Sequence, residues 1–373
     1  MARTVLNGPA LGRCEAAAGS ATLVRLQGAG HKAPVTGALS MHQAARPALP
    51  DLTRRTALSL GLGLGAAALA RPALGQAAYP NRAIRLLVPW PPGGSADAQL
   101  RSLADIATKS LGQPVLVENR SGARGLLAAQ ALLQAPPDGY TIAQQHLSVV
   151  RNPYMTRAKT WDPIEDFTHI IGLTGWLFGV AVRTDSPYKS WADYVAAAKA
   201  APGRLTYSTS GIGTTNHLAM EDICGRLGIS LMHVPFRGST EGVTAMLGGQ
   251  IDSIADSSAW APQVEAGAFR LLSVWSPERA KRFPEAPTLR ELGLDLEVTS
   301  PYGIAGPRGM DPGVVRVLHD TLKSALFDPA NVAVRDRFDM PLAYQDSETY
   351  RNFIIQRAAY EKEMVTRLKL TVD

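Results

Sequence analysis

The sequence predicts an α/β protein of two lobes, each a sheet with flanking helices, joined by two crossings of the chain. Three observations predict it. Short apolar runs alternate with helical stretches from Ile84 to Ala143. The alternation resumes from Trp191 to Trp275. A long apolar segment, Ile170 to Val182, and a strand-like stretch, Glu297 to Ala305, stand at the joins between these units. Alternating strand and helix signals imply parallel strands with right-handed crossovers.

In the first unit, Ile84 to Val88 (IRLLV) is an unbroken apolar run, the pattern of a strand covered on both faces. Pro89 to Gly94 break it, and Ser95 opens a helix, SADAQLRSLADIATKSL, with Leu100, Leu103 and Ile106–Ala107 on one face. Val115 to Glu118 is a second strand. Gly122 to Leu133 reads as a helix stopped by Pro136–Pro137, and Tyr140 to Ala143 as a third strand. Ile170 to Val182 leaves the first lobe as a strand. In the second unit, helices are expected at Trp191 to Ala200, Asn216 to Leu227, Ser239 to Leu247 and Trp260 to Ala266. Strands are expected at Leu205 to Ser208, His233–Val234, Ile251 to Ala255 and Leu271 to Trp275. Glu297 to Ala305 returns to the first lobe, followed by helices at Pro312 to Phe327 and Ser347 to Thr366. The lobes are therefore expected over residues 79–178 with 303–373, and over 179–302. Ligands in such sheets bind beyond the carboxyl ends of the strands. Two facing lobes then make a cleft whose closure buries the ligand.

The N-terminal region has a different character. Arg54 and Arg55 precede an apolar stretch from Ala57 to Ala70, and small residues offer a cleavage point after Gly75 or Ala77. This is the charged, apolar, small-residue order of an export signal, expected over residues 41–76. The arginine pair suits the twin-arginine route, and the general secretory route stays open. Residues 1–40 are Ala/Gly-rich without periodicity and read as an extension or a mis-assigned start. The full chain of 373 residues carries a net charge of +6. Residues 1–76 hold eight Lys/Arg and two Asp/Glu, so the leader accounts for all of it. The remainder is charge-balanced, which removes the case for nucleic acid or an anionic membrane as partner. Only Cys224 remains after the leader, so no intrachain disulfide is expected in the mature chain, and a lone thiol is most simply a buried small hydrophobe.

Two turns have the composition of ligand sites. Pro91-Pro92-Gly93-Gly94-Ser95-Ala96-Asp97 joins a strand to a helix. Glycines let N–H groups approach a ligand, and a helix N-terminus adds unpaired donors and the positive end of a dipole, so the turn can hold an anion without arginine. It can equally be an ordinary turn capped by Ser95 with Asp97 in the first turn. Tyr207-Ser208-Thr209-Ser210-Gly211-Ile212-Gly213-Thr214-Thr215-Asn216-His217 repeats the design. Asn216 stands where a dinucleotide fingerprint needs its third Gly, so a nucleotide cofactor is not expected. His217 and Glu221 share a helix face. They make either a metal pair lacking a third ligand or a structural hydrogen bond. Asp256-Ser257-Ser258 follows a strand end, as a ligand contact or as an N-cap for the short helix that follows. His146 and Ser148 follow the third strand, lining the cleft or lying on a surface loop. No nucleophile elbow, HExxH, Walker loop or Cys cluster occurs.

The stretches YPNRAIRLLVPWPPGGSAD, LGQPVLVENRSGARG, PDGYT, GIGTTNHLAME, HVPFRGSTEGVTAMLGGQID and ERAKRFPEAPTLRELG, in this order from Tyr79 onward, resemble the Bug-type substrate-binding proteins of tripartite tricarboxylate transporters. The resemblance implies a type II periplasmic-binding fold of two Rossmann-like lobes joined by two crossover strands. It implies periplasmic capture of a small organic acid and delivery to membrane permease subunits, by a monomer with no cofactor and no metal. It also implies that Pro92, Gly93, Gly94 and Ser95 with Thr209, Ser210, Gly213 and Thr214 grip a carboxylate. Asp256, Ser257 and the loop QQHLSVVRNPYM, with His146 and Ser148, then read the rest of the ligand. Here the chain departs from the family pattern. Ser257 replaces the usual Asn, His146 and Arg151 are unusual in that loop, and Ala259–Trp260 replaces Pro-Ser, with Trp260 either packing on an aromatic ligand or filling the lobe core. Alternatives to transport are presentation of the ligand to a sensor and, on the same fold, an exported enzyme using His146 or Asp256.

Overall fold

The structure, a computed structural model, describes residues 79–368 and 371–372. The extension and leader expected over residues 1–76 lie outside the described residues. The rest of the chain forms two mixed sheets.

The first sheet holds β1 (Ile84–Val88), β2 (Val115–Asn119), β3 (Thr141–Gln145), β4 (Phe167–Trp176), β10 (Ser300–Pro307) and β11 (Leu342–Gln345), in the order β11-β4-β10-β3-β1-β2. β1, β2 and β3 are parallel, as their alternation with helices requires. β10 lies antiparallel between β3 and β4. Gly303 is needed there, because a Cβ would sit 2.1 Å from the Ile171 carbonyl and 2.6 Å from the Tyr350 ring. The second sheet holds β5 (Phe178–Arg183), β6 (Thr206–Thr209), β7 (Met232–Pro235), β8 (Ser253–Ser257) and β9 (Phe269–Val274), in the order β7-β6-β8-β5-β9. β6 is parallel to β7 and β8, whereas β5 runs antiparallel to β8 and β9.

The segment Ile170 to Val182 is not one strand. It breaks at Leu177 into β4 of one sheet and β5 of the other, and so is a crossing. The start of β10 brings the chain back. Trp176, Phe178 and Tyr302 pack at the crossings, with ring centroids 6.4 Å apart for Trp176–Phe178 and 4.6 Å for Trp176–Tyr302. One apolar cluster runs through them from Leu86 and Leu103 in the first lobe to Tyr194 and Met220 in the second. Each Leu fully buried there contributes about 1.5–3 kcal/mol.

The helices are α1 (Ser95–Leu111), α2 (Leu126–Leu133), α3 (Leu147–Met155), α4 (Trp191–Ala200), α5 (Thr215–Leu227), α6 (Ser239–Leu247), α7 (Ala261–Glu265), α8 (Pro312–Phe327), α9 (Pro329–Arg337) and α10 (Ser347–Leu368). The helix expected from Gly122 starts four residues late, because Arg124 and Gly125 hold left-handed φ values of 63° and 81°. The loop QQHLSVVRNPYM is largely α3. Leu147, Ser148, Val149, Val150, Arg151 and Asn152 are all buried, so no amphipathic face marks the helix in the sequence. α9 and β11 were not legible either. Only Asn331 and Arg335 of α9 are buried, and β11 is a four-residue edge strand. None of the described helices is long and apolar enough to cross a membrane.

Candidate functional site

Five turns at the carboxyl ends of strands converge on one pocket above the two crossings. They follow β1, β3, β6, β7 and β8. The pocket has an empty volume of ≈ 510 Å³. Gly94, Ser95 and Ala96 enter it from the start of α1, and His146 and Ser148 from the start of α3. Ser210, Thr214, Thr215 and Asn216 enter around the start of α5, Ser239 and Thr240 at the start of α6, and Asp256 and Ser257 at the end of β8. Trp90 and Pro91 form one wall. Trp176, Phe178 and Ser300, at the crossings, form the floor.

The four helices that begin at this pocket, α1, α3, α5 and α6, have no side-chain cap. Elsewhere, Ser190 caps α4, Asp311 caps α8 and Asp328 caps α9, while α2 and α7 are also without a side-chain cap. In α1 the first intrahelical bond is Ala98 N–H to the Gly94 carbonyl at 3.0 Å, and in α5 it is Leu218 N–H to the Thr214 carbonyl at 3.1 Å. The N–H groups before these have no helical partner. Their partial positive charge is directed at the cleft. No Lys or Arg lines the pocket among the described residues. The arrangement can hold an anion through neutral donors alone.

Behind the lining, side chains lock the turns. Asp97 accepts from Gly93 N–H at 2.9 Å, from Arg101 Nε at 3.0 Å and from Asn119 Nδ2 at 2.7 Å. His217 Nδ1 accepts from Gly213 N–H at 3.1 Å, and its ring lies 4.2 Å from that of His233. Glu221 accepts from the Tyr207 hydroxyl. His217 and Glu221 thus serve as structural partners, and no group of three metal-ligating residues occurs among the described residues. Arg151 reaches across from α3. Its Nη1 donates to the Gly213 carbonyl at 2.9 Å, Nη2 to Thr215 Oγ1 at 3.3 Å, and Nε to Glu361 of α10 at 2.5 Å.

Eight of the twelve residues singled out in the sequence line the pocket: Gly94, Ser95, His146, Ser148, Ser210, Thr214, Asp256 and Ser257. Pro92, Gly93, Thr209 and Gly213 stand outside its lining. The Gly93 and Gly213 amides are already taken by Asp97 and His217. Thr209 Oγ1 is held by His233 Nε2 at 2.6 Å, and the Pro92 carbonyl faces Thr240 Oγ1 at 3.5 Å. The glycines therefore shape the turns, while the residues after them meet the cleft. Trp260 is fully buried against Phe283, donates to the Asp256 carbonyl at 3.1 Å, and fills the lobe core. Trp90, Trp176, Phe178 and the Ser239–Thr240 pair were not anticipated. Phe236-Arg237-Gly238-Ser239-Thr240 was readable as a third strand, Gly, hydroxyl, helix turn. The aromatic residues left no local signal, because only the crossing of the chain brings them together.

Asp256 is the sole side chain of the lining that is charged at neutral pH. It accepts from Ser210 Oγ, Ser239 Oγ and Ser257 N–H at 2.7–2.8 Å. Burial pushes its carboxyl up to about 6 despite these bonds. Burial likewise pushes the His146 imidazole down to about 4, so it is neutral.

The geometry is that of a two-lobed α/β fold with one pocket at the carboxyl ends of its strands. Residues 99–370 match the family described as the tripartite tricarboxylate transporter family receptor. A relative from Cupriavidus necator, the UPF0065 protein in the gbd 5' region, is 45% identical over 83% of this chain and 96% of its own. Among solved structures, the periplasmic binding protein BugD is 26% identical, covering 79% of this chain and 99% of its own, with a TM-score of 0.75. Rhodopseudomonas palustris Rpa4515 with adipate is 26% identical, covering 79% and 99%, with a TM-score of 0.74. MatC from the same organism with bound malate is 25% identical, covering 77% and 100%, with a TM-score of 0.71. The chain belongs to the tripartite tricarboxylate transporter receptor family, the Bug-type solute-binding proteins.

Proposed function

We propose that this protein is exported through its N-terminal leader and captures a small organic carboxylate in the periplasm. It releases the ligand unchanged to the permease subunits of a tripartite tricarboxylate-type transporter. The lobes, residues 79–178 with 303–373 and residues 179–302, close on the ligand as a monomer. The observation that carries this reading is the convergence of four uncapped helix N-termini on a pocket without a lining cation. The adipate and malate seen with family neighbours support the ligand class. The carboxylate lies between Ser95–Ala96 of α1 and Thr214–Asn216 of α5. Asp256 with Ser257, and His146 with Ser148, face the remainder of the ligand.

The test is a thermal-shift screen of mono-, di- and tricarboxylates and aromatic acids. A captured ligand at 100 times its Kd stabilises the folded state by about 2.7 kcal/mol. Folded protein with no shift across the panel would overturn the reading.

A further inference from the structure

The distal part of the pocket has a chemistry of its own, and the inference drawn from it rests on the carboxylate-capture reading. His146 is 2 % exposed. Its Nε2 lies 3.3 Å from the Arg124 carbonyl, which can only accept, so Nε2 carries the proton. That leaves Nδ1 as a lone-pair acceptor, and it is buried with no partner among the described residues. The Trp90 ring packs edge-on against His146 at 4.8 Å between centroids. Its Nε1–H is a donor, also buried and unpartnered. Both residues line the pocket. One buried donor and one buried acceptor on adjacent rings of one wall are costly unless met by a matching group. A hydroxyl is the group that accepts and donates at one atom.

The surroundings fix the rest of the ligand. Trp90, Trp176 and Phe178 present ring faces and edges, with Trp90 and Trp176 centroids 5.9 Å apart at 85°. These suit a flat apolar body. The Asp256 carboxylate in the lining disfavours a second carboxylate beside it.

We infer that the substrate is a hydroxylated aromatic monocarboxylate, with its carboxylate at the helix N-termini and its hydroxyl bridging Trp90 Nε1–H and His146 Nδ1.

The experiment is calorimetric titration of the purified protein with benzoate, its three monohydroxy isomers, phenylacetate, mandelate and adipate. At least one hydroxy acid should bind about tenfold or more tightly than its unhydroxylated counterpart, and more tightly than adipate. In Trp90→Phe, which keeps a ring and loses the N–H, that preference should shrink to within about threefold, and His146→Leu should act in the same direction. Equal affinities for each matched pair, or adipate bound as tightly as the best hydroxy acid, would overturn the inference while leaving carboxylate capture intact. Binding of none of the acids would overturn both. Should either variant fail to fold, the matched-pair ratio in the parent protein decides the matter alone.

Discussion

Arg151→Met tests whether one buried side chain ties the two lobes together. Arg151 and Glu361 are 1% and 0% exposed. The guanidinium makes two bonds to Glu361, at 2.5 and 3.1 Å, and two more to Gly213 and Thr215 in the turn of the opposite lobe. Methionine keeps much of the volume and removes all four bonds. Breaking a buried ion pair costs about 3–5 kcal/mol, because the remaining charge is stranded. Glu361 keeps Arg357 at 2.8 Å, which places the loss at the lower end, about 3 kcal/mol. For a chain of this size a kcal/mol corresponds to roughly 2 °C, so the unfolding midpoint at pH 7 should fall by roughly 6 °C. Glu361→Gln should cost more, since it leaves the Arg151 cation without an anion. The assay is thermal unfolding followed by circular dichroism. A midpoint within about 1 °C of the parent for Arg151→Met would refute the assignment of Arg151, held by Glu361, as a buried anchor for the Gly213–Thr215 turn of the opposite lobe.

Other predictions follow from the same geometry. Gly94→Val should leave the fold intact, since φ is −76° and a Cβ meets only Thr240 Oγ1 at 3.6 Å and the Pro91 carbonyl at 3.9 Å. Its methyl groups enter the cleft, so carboxylate affinities should drop about tenfold or more across a panel, and unchanged affinities would remove this turn from the site. Gly125→Ala should destabilise by about 1–3 kcal/mol in urea unfolding, because φ is 81° and the new Cβ would lie 2.7 Å from His146 Nε2. Asp256 has its carboxyl raised from 3.8 to about 6, chiefly by burial, so the fold favours its protonated form. Its contribution to stability is complete below pH 3.8 and is lost as pH rises to about 6. The stability difference between parent and Asp256→Asn should therefore fall across that window and flatten above it, and a difference independent of pH would contradict the assignment.

Much of the fold was legible because strand and helix signals alternate cleanly. α1, α4, α6 and α8 begin and end where periodicity and Pro/Gly breaks place them, and IRLLV is β1 as its unbroken apolar run implies. Legibility failed where burial is all-round or where contacts are distant in sequence. α3 hides because nearly every side chain is buried, and the break at Leu177 hides because both halves are equally apolar. The turns of the site were readable from Gly and hydroxyl residues, but which amides stay free was not. That depends on Asp97 and His217 reaching back to Gly93 and Gly213. The aromatic floor and the Trp90–His146 pair are products of tertiary structure alone.

On the proposed function, neutral helix N-termini, and no lysine or arginine, hold a carboxylate between the lobes. A crystal structure of the protein with a carboxylate found by the screen measures this directly. Carboxylate oxygens are expected within about 3 Å of backbone N–H groups at Ser95–Ala96 and at Thr215–Asn216. A carboxylate paired instead with an arginine or lysine side chain, or bound outside this pocket, would contradict it.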